Sequence, residues 1–446
     1  MSHEAKNIDV CIVGAGFTGL AAAMSLARAG KSVIVVEADD GPGGLASAFD
    51  LADGVRVEKF YHHWFDSDTH LPEIIGELGL QDRILTAPSR TGMYYNKQVW
   101  RLSTPLDLLT FKPLSLIDRI RLGLLVFRVR RITDWRAIEH LSVREWLEPL
   151  CGPAAFRIVW QPLLEHKFSI HADEVGAVWM WKKLALRGGT RNARGGEQLA
   201  YFKGGFGDLA QAMADDATRH GGVVRYGTRI SRAMTEGQRV TALQCTDGSE
   251  IRANQFLFTP ALPIIADWFS DAPNVNAAWL ASLRRVKYLG NACLLLELDR
   301  SLSPTYWLNV NDPGFPFVGV IEHTNFDDPA AYKGRHIVYL SRYMATEDPL
   351  WDYDDQVYLD YAFGHLQRMF PQLERSWIKD FALWRAPYAQ PIAERGYSRL
   401  IPDRQTPFAN ALIATMAQIY PEDRGTNYAI REGRAAAHAL INEQRC

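Results

Sequence analysis

Apolar residues near the start of the chain follow two different periodicities. Asp9 to Val13 and Ser32 to Glu37 are short runs of β-branched and apolar residues, whereas Leu20 to Ala29 is rich in alanine and ends before Gly30. Short continuous apolar runs are typical of strands buried on both faces, and the alanine-rich stretch is typical of a helix. The pattern therefore predicts a β-α-β unit within a parallel sheet that helices cover on both faces.

The turn between the first strand and the helix carries three glycines. Gly14, Gly16 and Gly19 form the pattern G-x-G-x-x-G, directly after a strand and at the start of a helix. There the first glycine allows a tight turn, the second lets the backbone approach a pyrophosphate, and the third lets the helix pack on the strand. Glu37, at the end of the second strand, is placed to accept hydrogen bonds from an adenosine ribose. The segment predicts a dinucleotide site but does not distinguish FAD from NAD.

A second glycine turn, GPGGLAS, spans residues 41–47 immediately after Glu37. With GAGFTG at 14–19, YFKGGFGDLAQAM at 201–213 and PEDRGTNYAIREGRAAA at 421–437, it resembles the flavin amine oxidase and protoporphyrinogen oxidase superfamily. Phytoene desaturases and UDP-galactopyranose mutases belong to the same broader group. The resemblance spans nearly the full chain and implies FAD as the cofactor.

The resemblance also implies where each part of FAD binds. The four residues from Gly43 to Ala46 run beside the ribityl and pyrophosphate groups. Ile230 meets the adenine through its backbone, and the start of the last helix meets the pyrimidine edge of the isoalloxazine. A positive helix end at that edge stabilises the anionic reduced flavin. The expected cofactor-binding residues are Gly14, Ala15, Gly16, Phe17, Thr18, Gly19, Glu37, Ala38, Gly43, Gly44, Leu45, Ala46, Ile230, Gly425, Thr426 and Asn427.

The expected fold is of the α/β class, with a Rossmann-type FAD-binding domain, a mixed-sheet substrate domain and a helical insertion. Thr104 to about Arg194 has a helical pattern, whereas the second half mixes strands such as Ala292 to Leu298 with a helix over Asp355 to Met369. The expected division is a discontinuous FAD-binding domain of residues 1–100, 195–261 and 405–446, a substrate-binding domain of residues 262–404, and a helical subdomain of residues 101–194.

Two histidines and a tyrosine are candidates for catalysis near the expected flavin. His62 and His63 lie in KFYHHWF, a short loop after the second glycine turn. Adjacent residues of a strand point to opposite faces, so at most one of the two histidines should line the site. A histidine titrates near neutral pH and can act as acid or base, with packing as the alternative role. His62 and Tyr420, which lies in the turn before the last helix, are the catalytic candidates.

Two features bear on which reaction the enzyme performs. Amine oxidases of this superfamily carry a lysine in a strand near the flavin, and in the comparable stretch, Leu289 to Leu296, Leu294 stands at that position. This departure argues against amine oxidation. The mutases carry arginines for a nucleotide pyrophosphate, and Arg342 and Arg385 are candidates by residue type, with solvated surface arginines as the alternative.

Composition narrows the functional classes. A net charge of −2 offers no general attraction to nucleic acid. The five cysteines stand far apart without a C-x-x-C pair, and no ligands fall at a metal-site spacing, so neither disulfides nor a metal ion is expected. We expect a cytoplasmic enzyme that acts on a small molecule, with its oligomeric state left open.

One helical stretch, Ser115 to Arg131, combines an apolar stripe with clustered positive charge. The apolar positions are Leu116, Ile120, Leu124 and Phe127, and the arginines are Arg119, Arg121, Arg128, Arg130 and Arg131. Such a helix can lie on an anionic bilayer, here the inner face of the membrane, or pack as scaffold on its own domain. No uncharged apolar run reaches about 18 residues, so no spanning helix is expected.

The expected activity is that of an FAD-dependent oxidoreductase, whether oxidase, dehydrogenase or desaturase, which removes hydride from a C–H or C–N bond. Its substrate is unidentified, and a membrane-facing helix would suit a hydrophobic or lipid-linked molecule. The alternative is a non-redox flavoenzyme similar to UDP-galactopyranose mutase that acts on a nucleotide sugar. Both glycine turns and the terminal helix argue against a flavin-free adaptor.

Overall fold

A computed structural model of the chain describes residues 8–102, 104–189, 198–273 and 275–443. Its strands are, in chain order, β1 (Val10–Val13), β2 (Val33–Val36), β3 (Ala48–Asp50), β4 (Arg56–Glu58), β5 (Trp64–Phe65), β6 (Ile84–Pro88), β7 (Thr91–Tyr95), β8 (Gln98–Arg101), β9 (Gln198–Phe202), β10 (Val223–Arg225), β11 (Ile230–Glu236), β12 (Arg239–Cys245), β13 (Glu250–Ile251), β14 (Gln255–Phe258), β15 (Tyr288–Leu298), β16 (Trp307–Val310), β17 (Gly319–Glu322), β18 (His336–Met344), β19 (Ile378–Pro391) and β20 (Ala411–Ile413). Its α-helices are α1 (Phe17–Arg28), α2 (His70–Glu77), α3 (Pro105–Thr110), α4 (Leu116–Arg130), α5 (Val143–Cys151), α6 (Pro153–Ala155), α7 (Gln161–Phe168), α8 (Ala177–Gly189), α9 (Gly205–Arg219), α10 (Leu262–Trp268), α11 (Ala277–Arg285), α12 (Asp355–Met369) and α13 (Thr426–Glu443).

The first sheet has five parallel strands in the order β10-β2-β1-β14-β20. β1 lies at its centre, with Val10 opposite Val33 on one side and opposite Gln255 on the other. All residues of β1 and β2 are buried, as expected for a parallel sheet that helices cover on both faces. The predicted β-α-β unit and Rossmann-type fold are confirmed. Helix α1 begins at Phe17, earlier than the predicted Leu20, because Gly16 is already the extended N-cap residue.

Helices cover the two faces of this sheet according to the alternation of its side chains. Val10 and Ile12 face α1, α9 and α13, whereas Cys11 and Val13 face α10, α11 and the small sheet of β11, β12 and β13. Helix α13 lies so close to α1 that a Cβ on Gly433 would collide with the carbonyl oxygen of Thr18. The last helix of the chain is therefore packed against the first turn of the glycine-motif helix.

The second large sheet has seven strands in the order β19-β15-β18-β17-β16-β7-β8. Strands β16 and β7 run parallel and the other neighbours run antiparallel, so the sheet is mixed. Strands β7 and β8 come from the part of the chain before the boundary expected at residue 100, yet they extend this sheet. Trp307 pairs with Thr91 there, and no local pattern marks a pairing between residues so distant in sequence.

The region predicted to be helical carries α3 to α8 between β8 and β9, and residues 190–194 of its expected span lie outside the described residues. Leu125, Phe168 and Trp179 of these helices pack in one apolar cluster with Tyr343 of the mixed sheet. Leu45, from the second glycine turn, packs against the same cluster. The insertion therefore lies beside the expected flavin site. Within the described residues, no helix is both long enough and apolar enough to cross a bilayer.

Candidate functional site

The two glycine turns meet through their main chains. Gly16 and Gly43 form an isolated parallel bridge, and the N–H of Gly43 donates to the carbonyl oxygen of Ala15 at 2.8 Å. The φ angles of Gly14, Gly43 and Gly44 are 101°, 115° and 57°, which residues with side chains rarely adopt. No side chain caps the first N–H groups of α1, and its first turn has no acidic residue. Unpaired N–H groups beside a cradle without side chains fit the pyrophosphate of FAD.

The carboxylate of Glu37 closes one end of this cradle. It accepts hydrogen bonds from the N–H groups of Ala15 at 2.6 Å and Asp39 at 3.0 Å. Burial raises the pKa of Glu37, and the hydrogen bonds from Asp39 and Ala15 oppose that shift. The N–H of Thr228 donates to the carbonyl oxygen of Glu37 at 2.8 Å, which brings the residues before Ile230 to the same edge. The contacts of Glu37, Ala38 and Ile230 with adenosine stay a prediction.

The start of α13 offers main-chain groups to the cofactor. The carbonyl oxygen of Gly425 accepts the first helical hydrogen bond, from Ala429, so Thr426 and Asn427 lie in the first turn. The side chain of Asn427 is already engaged, because its Oδ1 accepts from the buried N–H of Leu71 in α2 at 3.1 Å. Contact with the flavin through Gly425, Thr426 and Asn427 therefore depends on their backbone and stays a prediction.

His62 is a neutral hydrogen-bonding group rather than an acid. Its Nδ1 lies 2.7 Å from the carbonyl oxygen of Phe60, which only accepts, so Nδ1 carries the proton and Nε2 is an acceptor. Burial lowers the pKa of His62 to about 4, with the Phe60 hydrogen bond opposing and the charge of Arg424 adding to the shift. His63 points elsewhere, with its Nδ1 3.0 Å from the hydroxyl of Tyr306.

Tyr420, the second catalytic candidate, contacts the helical insertion. Its hydroxyl donates to Glu139 at 3.2 Å, and its ring packs edge-on against Trp135 with centroids 5.1 Å apart. It lines a surface groove of about 430 Å³. Within the described residues the structure shows no contact between Tyr420 and His62. The turn after β20 directs this side chain toward the helical insertion, and a catalytic role of Tyr420 stays a prediction.

Sequence reasoning missed Arg424, which lies directly before Gly425. Its Nε donates to Oε1 of Gln390 at 3.0 Å, and its Nη2 donates to the hydroxyl of Tyr343 at 3.0 Å. Both partners are neutral side chains of the mixed sheet. Arg424 lies in the segment PEDRGTNY, which is part of the resemblance to the family. The sequence therefore showed that Arg424 precedes α13. Its partners were not visible in the sequence.

Lys167, from α7, approaches the same tyrosine from the ring face. Its Nζ lies 4.9 Å from the centroid of the Tyr343 ring. Burial lowers the pKa of Lys167 to about 8, which Asp423 opposes and Arg424 reinforces. No local pattern in the helical insertion marks Lys167. The packing of α7 on the mixed sheet brings it to the site.

Leu294 is on the wrong face of the mixed sheet for a flavin contact. It packs with Leu296 in the cluster that includes α12, whereas Cys293 and Leu295 face the cluster of the FAD-binding domain. The expected register is therefore shifted by one residue. Ala292 to Leu296 are all apolar, so their alternation shows which residues share a face but not which face is inside. A lysine is absent from both faces of β15.

The two arginines considered for a nucleotide pyrophosphate are held by nearby carboxylates. Arg342 pairs with Asp348 at 3.1 Å and Arg385 pairs with Asp355 at 2.9 Å. Each arginine thus has a carboxylate partner, while the Nε of both is buried without a hydrogen-bond partner among the described residues. No group of three or more His, Cys, Asp or Glu side chains among the described residues is placed to bind a metal ion.

The family follows from a comparison of sequences. The sequence model of the flavin containing amine oxidoreductases matches residues 17–441, which is nearly the whole chain. The chain belongs to this family. Membership of this flavin-containing family implies FAD as the cofactor, and the glycine cradle described above is where residues of this chain fit it.

Curated relatives of this flavin oxidoreductase include carotenoid desaturases. The 15-cis-phytoene desaturase of Arabidopsis thaliana is 25% identical over 327 residues, which cover 68% of this chain and 56% of the relative. A candidate zeta-carotene desaturase of Synechococcus elongatus is 24% identical over 487 residues, covering 98% of this chain and 99% of the relative. The chain spans about half the length of the phytoene desaturases that it matches.

Solved structures with the same fold are more distant in sequence. A candidate protoporphyrinogen oxidase from Exiguobacterium sp. 255-15 has a TM-score of 0.76 at 18% identity and covers 99% of this chain and 100% of its own. Reduced UDP-galactopyranose mutase has a TM-score of 0.74 at 13% identity and covers 98% of this chain and 96% of its own. At these identities the likeness shows the fold alone.

Gly16→Val is expected to abolish FAD binding while the protein still folds. A Cβ on Gly16 meets nothing closer than the Cα of Gly44 at 4.0 Å, and φ −73° with ψ 176° suits any residue. The branched side chain would fill the space where the pyrophosphate approaches. Chromatography of the cofactor released on denaturation measures FAD, and thermal melting measures folding. Gly364→Val on α12, where the space is also open, is the matched control. Full FAD occupancy in Gly16→Val would contradict the assignment.

His62 is expected to make the protein less stable as the pH falls from about 6.5 to about 4. The folded pKa of about 4 lies below the value of 6.5 for the free side chain, so in this window the unfolded chain binds one more proton. His62→Asn keeps a donor for Phe60 but does not titrate. Its melting temperature should fall less on acidification than that of the wild type, whereas the exposed control His438→Asn should behave as wild type. Equal slopes for all three proteins would reject this.

Proposed function

We propose that this FAD-dependent oxidoreductase removes hydride from a C–H or C–N bond of a hydrophobic or lipid-linked substrate, which it takes from a membrane surface. FAD, when bound, supplies the hydride acceptor. The residues of the chain orient the substrate and exclude water, and the neutral Nε2 of His62 offers a hydrogen-bond acceptor beside the expected flavin. The proposal of a hydrophobic substrate rests on the exposed apolar side chains on the outer surface of α3 and α4.

Large apolar side chains are concentrated on that surface. Among the described residues, twelve large apolar side chains are exposed, and seven of them lie on α3 and α4. We call these seven side chains the outer apolar face. They are Leu106, Leu109, Leu116, Ile117, Ile120, Leu124 and Phe127. Leu125 and Val129 of α4 are buried on the opposite side, so the helix is apolar on both sides. A contiguous exposed apolar surface marks an interaction site.

Positive charge surrounds the outer apolar face. Lys112, Arg121, Arg128 and Arg131 are exposed, and Arg128 donates to the carbonyl oxygen of Leu150 at 2.8 Å while keeping its charge. Arg119 has a structural role, because it donates to the carbonyl oxygens of Leu109 and Leu114 and so fastens α3 to α4. An apolar surface with cations at its border complements a bilayer of anionic lipid.

The same helices connect the outer apolar face to the flavin region. Leu125 and Val129 belong to the apolar cluster that contains Phe168, the neighbour of Lys167, and against which Leu45 of the second glycine turn packs. A substrate that left the bilayer at α4 would therefore meet an apolar subdomain next to the second glycine turn. This continuity supports a hydrophobic substrate rather than a nucleotide sugar.

Net oxidation of the substrate is the first expected outcome. The oxidised holoenzyme, mixed without oxygen with a total lipid extract of the cells that produce it, should lose the visible absorption of oxidised flavin. Oxygen or a quinone should then restore it, because hydride has been removed from the substrate. Gly16→Val, which lacks the cofactor, is the matched control. Turnover that requires photoreduced flavin and consumes none of it would contradict the proposal and favour the mutase reaction.

Binding to anionic liposomes is the second expected outcome. The holoenzyme should co-sediment with vesicles of phosphatidylglycerol and phosphatidylcholine but hardly with phosphatidylcholine alone, and salt should weaken binding because exposed charges are screened over about 8 Å at physiological strength. Ile120→Glu should reduce binding by placing a carboxylate on the outer apolar face. Val357→Glu on α12 is the matched control, since both side chains are 50% exposed. Equal sedimentation of the two variants with unchanged FAD content would reject the membrane contact.

A further inference from the structure

Tyr343 is contacted by two positive groups that come from different parts of the chain. The ammonium of Lys167, on α7, lies over its ring at 4.9 Å, and Nη2 of Arg424 donates to its hydroxyl at 3.0 Å. Tyr343 itself is on β18 and is 9% exposed. Three elements thus converge to hold two cations around one neutral side chain.

The nearest carboxylates are already neutralised by other lysines. Lys182 and Lys183, both on α8, pair with Glu422 at 3.2 Å and with Asp423 at 2.7 Å. Arg431 pairs with Glu422 as well, at 3.2 Å. Burial would raise the pKa of Asp423, but Lys183, Lys167 and Arg424 outweigh it and keep that pKa well below its usual range.

This leaves more positive than negative charge around Tyr343. Arg424 has neutral hydrogen-bond partners, and Lys167 has no hydrogen-bond acceptor among the described residues. The Lys167 ammonium instead lies among aromatic rings, 5.9 Å from that of Trp179 and 6.0 Å from that of Phe168. The charge of Asp423 acts on Lys167, but Asp423 is already ion-paired with Lys183. A cation that is removed from water and has only a shared counterion is costly, so an anion that enters this space is stabilised.

We infer that Lys167 and Arg424 form a subsite that binds one anionic group of the substrate, a carboxylate or a phosphate. The inference rests on the proposed function and adds to it, because the substrate then carries an apolar part and one anionic group. The subsite lies near His62, whose pKa the charge of Arg424 lowers, and hence near the expected flavin. Charge-assisted hydrogen bonds to both cations would fix which bond of the substrate faces the cofactor.

The test measures binding of simple probes to the oxidised holoenzyme, without turnover and without membranes. Octanoate, octyl phosphate and octanol share an apolar chain and differ in the head group, and each is titrated while the visible spectrum of the flavin is recorded. We expect at least one of the two anions to bind about tenfold or more tightly than octanol, since a hydrogen bond to a charged partner typically contributes about 1.5–3 kcal/mol. Which anion binds more tightly distinguishes a carboxylate substrate from a phosphate substrate.

Variants of Lys167 make the test specific. Lys167→Met should weaken the preferred anion about tenfold and leave octanol unchanged, whereas Lys167→Arg should retain the anion because the charge remains. Lys203→Met, at an exposed position outside the site, is the matched control and should match the wild type. Thermal melting and FAD content confirm that each variant is folded and loaded.

Three results would overturn the subsite. Octanol could bind as tightly as both anions, Lys167→Met could bind the anion as the wild type does, or the variant could change only the reduction potential of the flavin. The last result would assign the two cations to the cofactor. Because probe binding is read on the resting enzyme, a failure of hydride removal or of liposome binding leaves this measurement intact, and the two proposals can fail separately.

Discussion

The close approach of main chains at the glycine positions is the constraint on which the rest of the structure depends. A Cβ on Gly19 would collide with the carbonyl oxygen of Gly14, and a Cβ on Gly433 would collide with that of Thr18. Because these glycines carry no side chain, α1 can begin directly after β1, at the C-terminal end of the central strand. Helix α13 can then pack against the first turn of α1. The position of α13 in turn sets where Arg424, just before that helix, meets the mixed sheet.

Ion pairs then fix the helical insertion relative to the flavin motif. Glu422 and Asp423 precede α13 and are bound by Lys182 and Lys183 of α8. These carboxylates are largely shielded from water. Replacing one of the two lysines by a neutral residue would therefore leave a poorly solvated carboxylate, which is more costly than the loss of an exposed ion pair. The same insertion supplies Lys167, which means that the two acids hold in place a cation that they do not themselves neutralise.

Local sequence patterns predicted the elements of the expected cofactor site. They did not predict contacts between residues that are distant in sequence. The glycine turn at Gly14 and the helix over Asp355–Met369 are confirmed, because each depends on residues within one element. Leu294 was assigned to the wrong face, since Ala292 to Leu296 are all apolar and no polar residue among them marks the outside. Lys167 carried no signal, because only the packing of α7 against the mixed sheet brings it to Tyr343.

The balance of forces on the outer apolar face would make the proposed membrane contact reversible. Its seven side chains are between 45% exposed, at Leu124, and 69% exposed, at Leu106, so each would transfer only part of its surface into lipid. Full burial of such a side chain is worth about 1.5–3 kcal/mol, and partial burial of seven is offset by the cost of immobilising the protein. Each arginine near an anionic surface adds about 1 kcal/mol. In the proposed contact the apolar contribution would therefore be marginal by itself, and the surrounding cations would decide whether the enzyme stays on the bilayer.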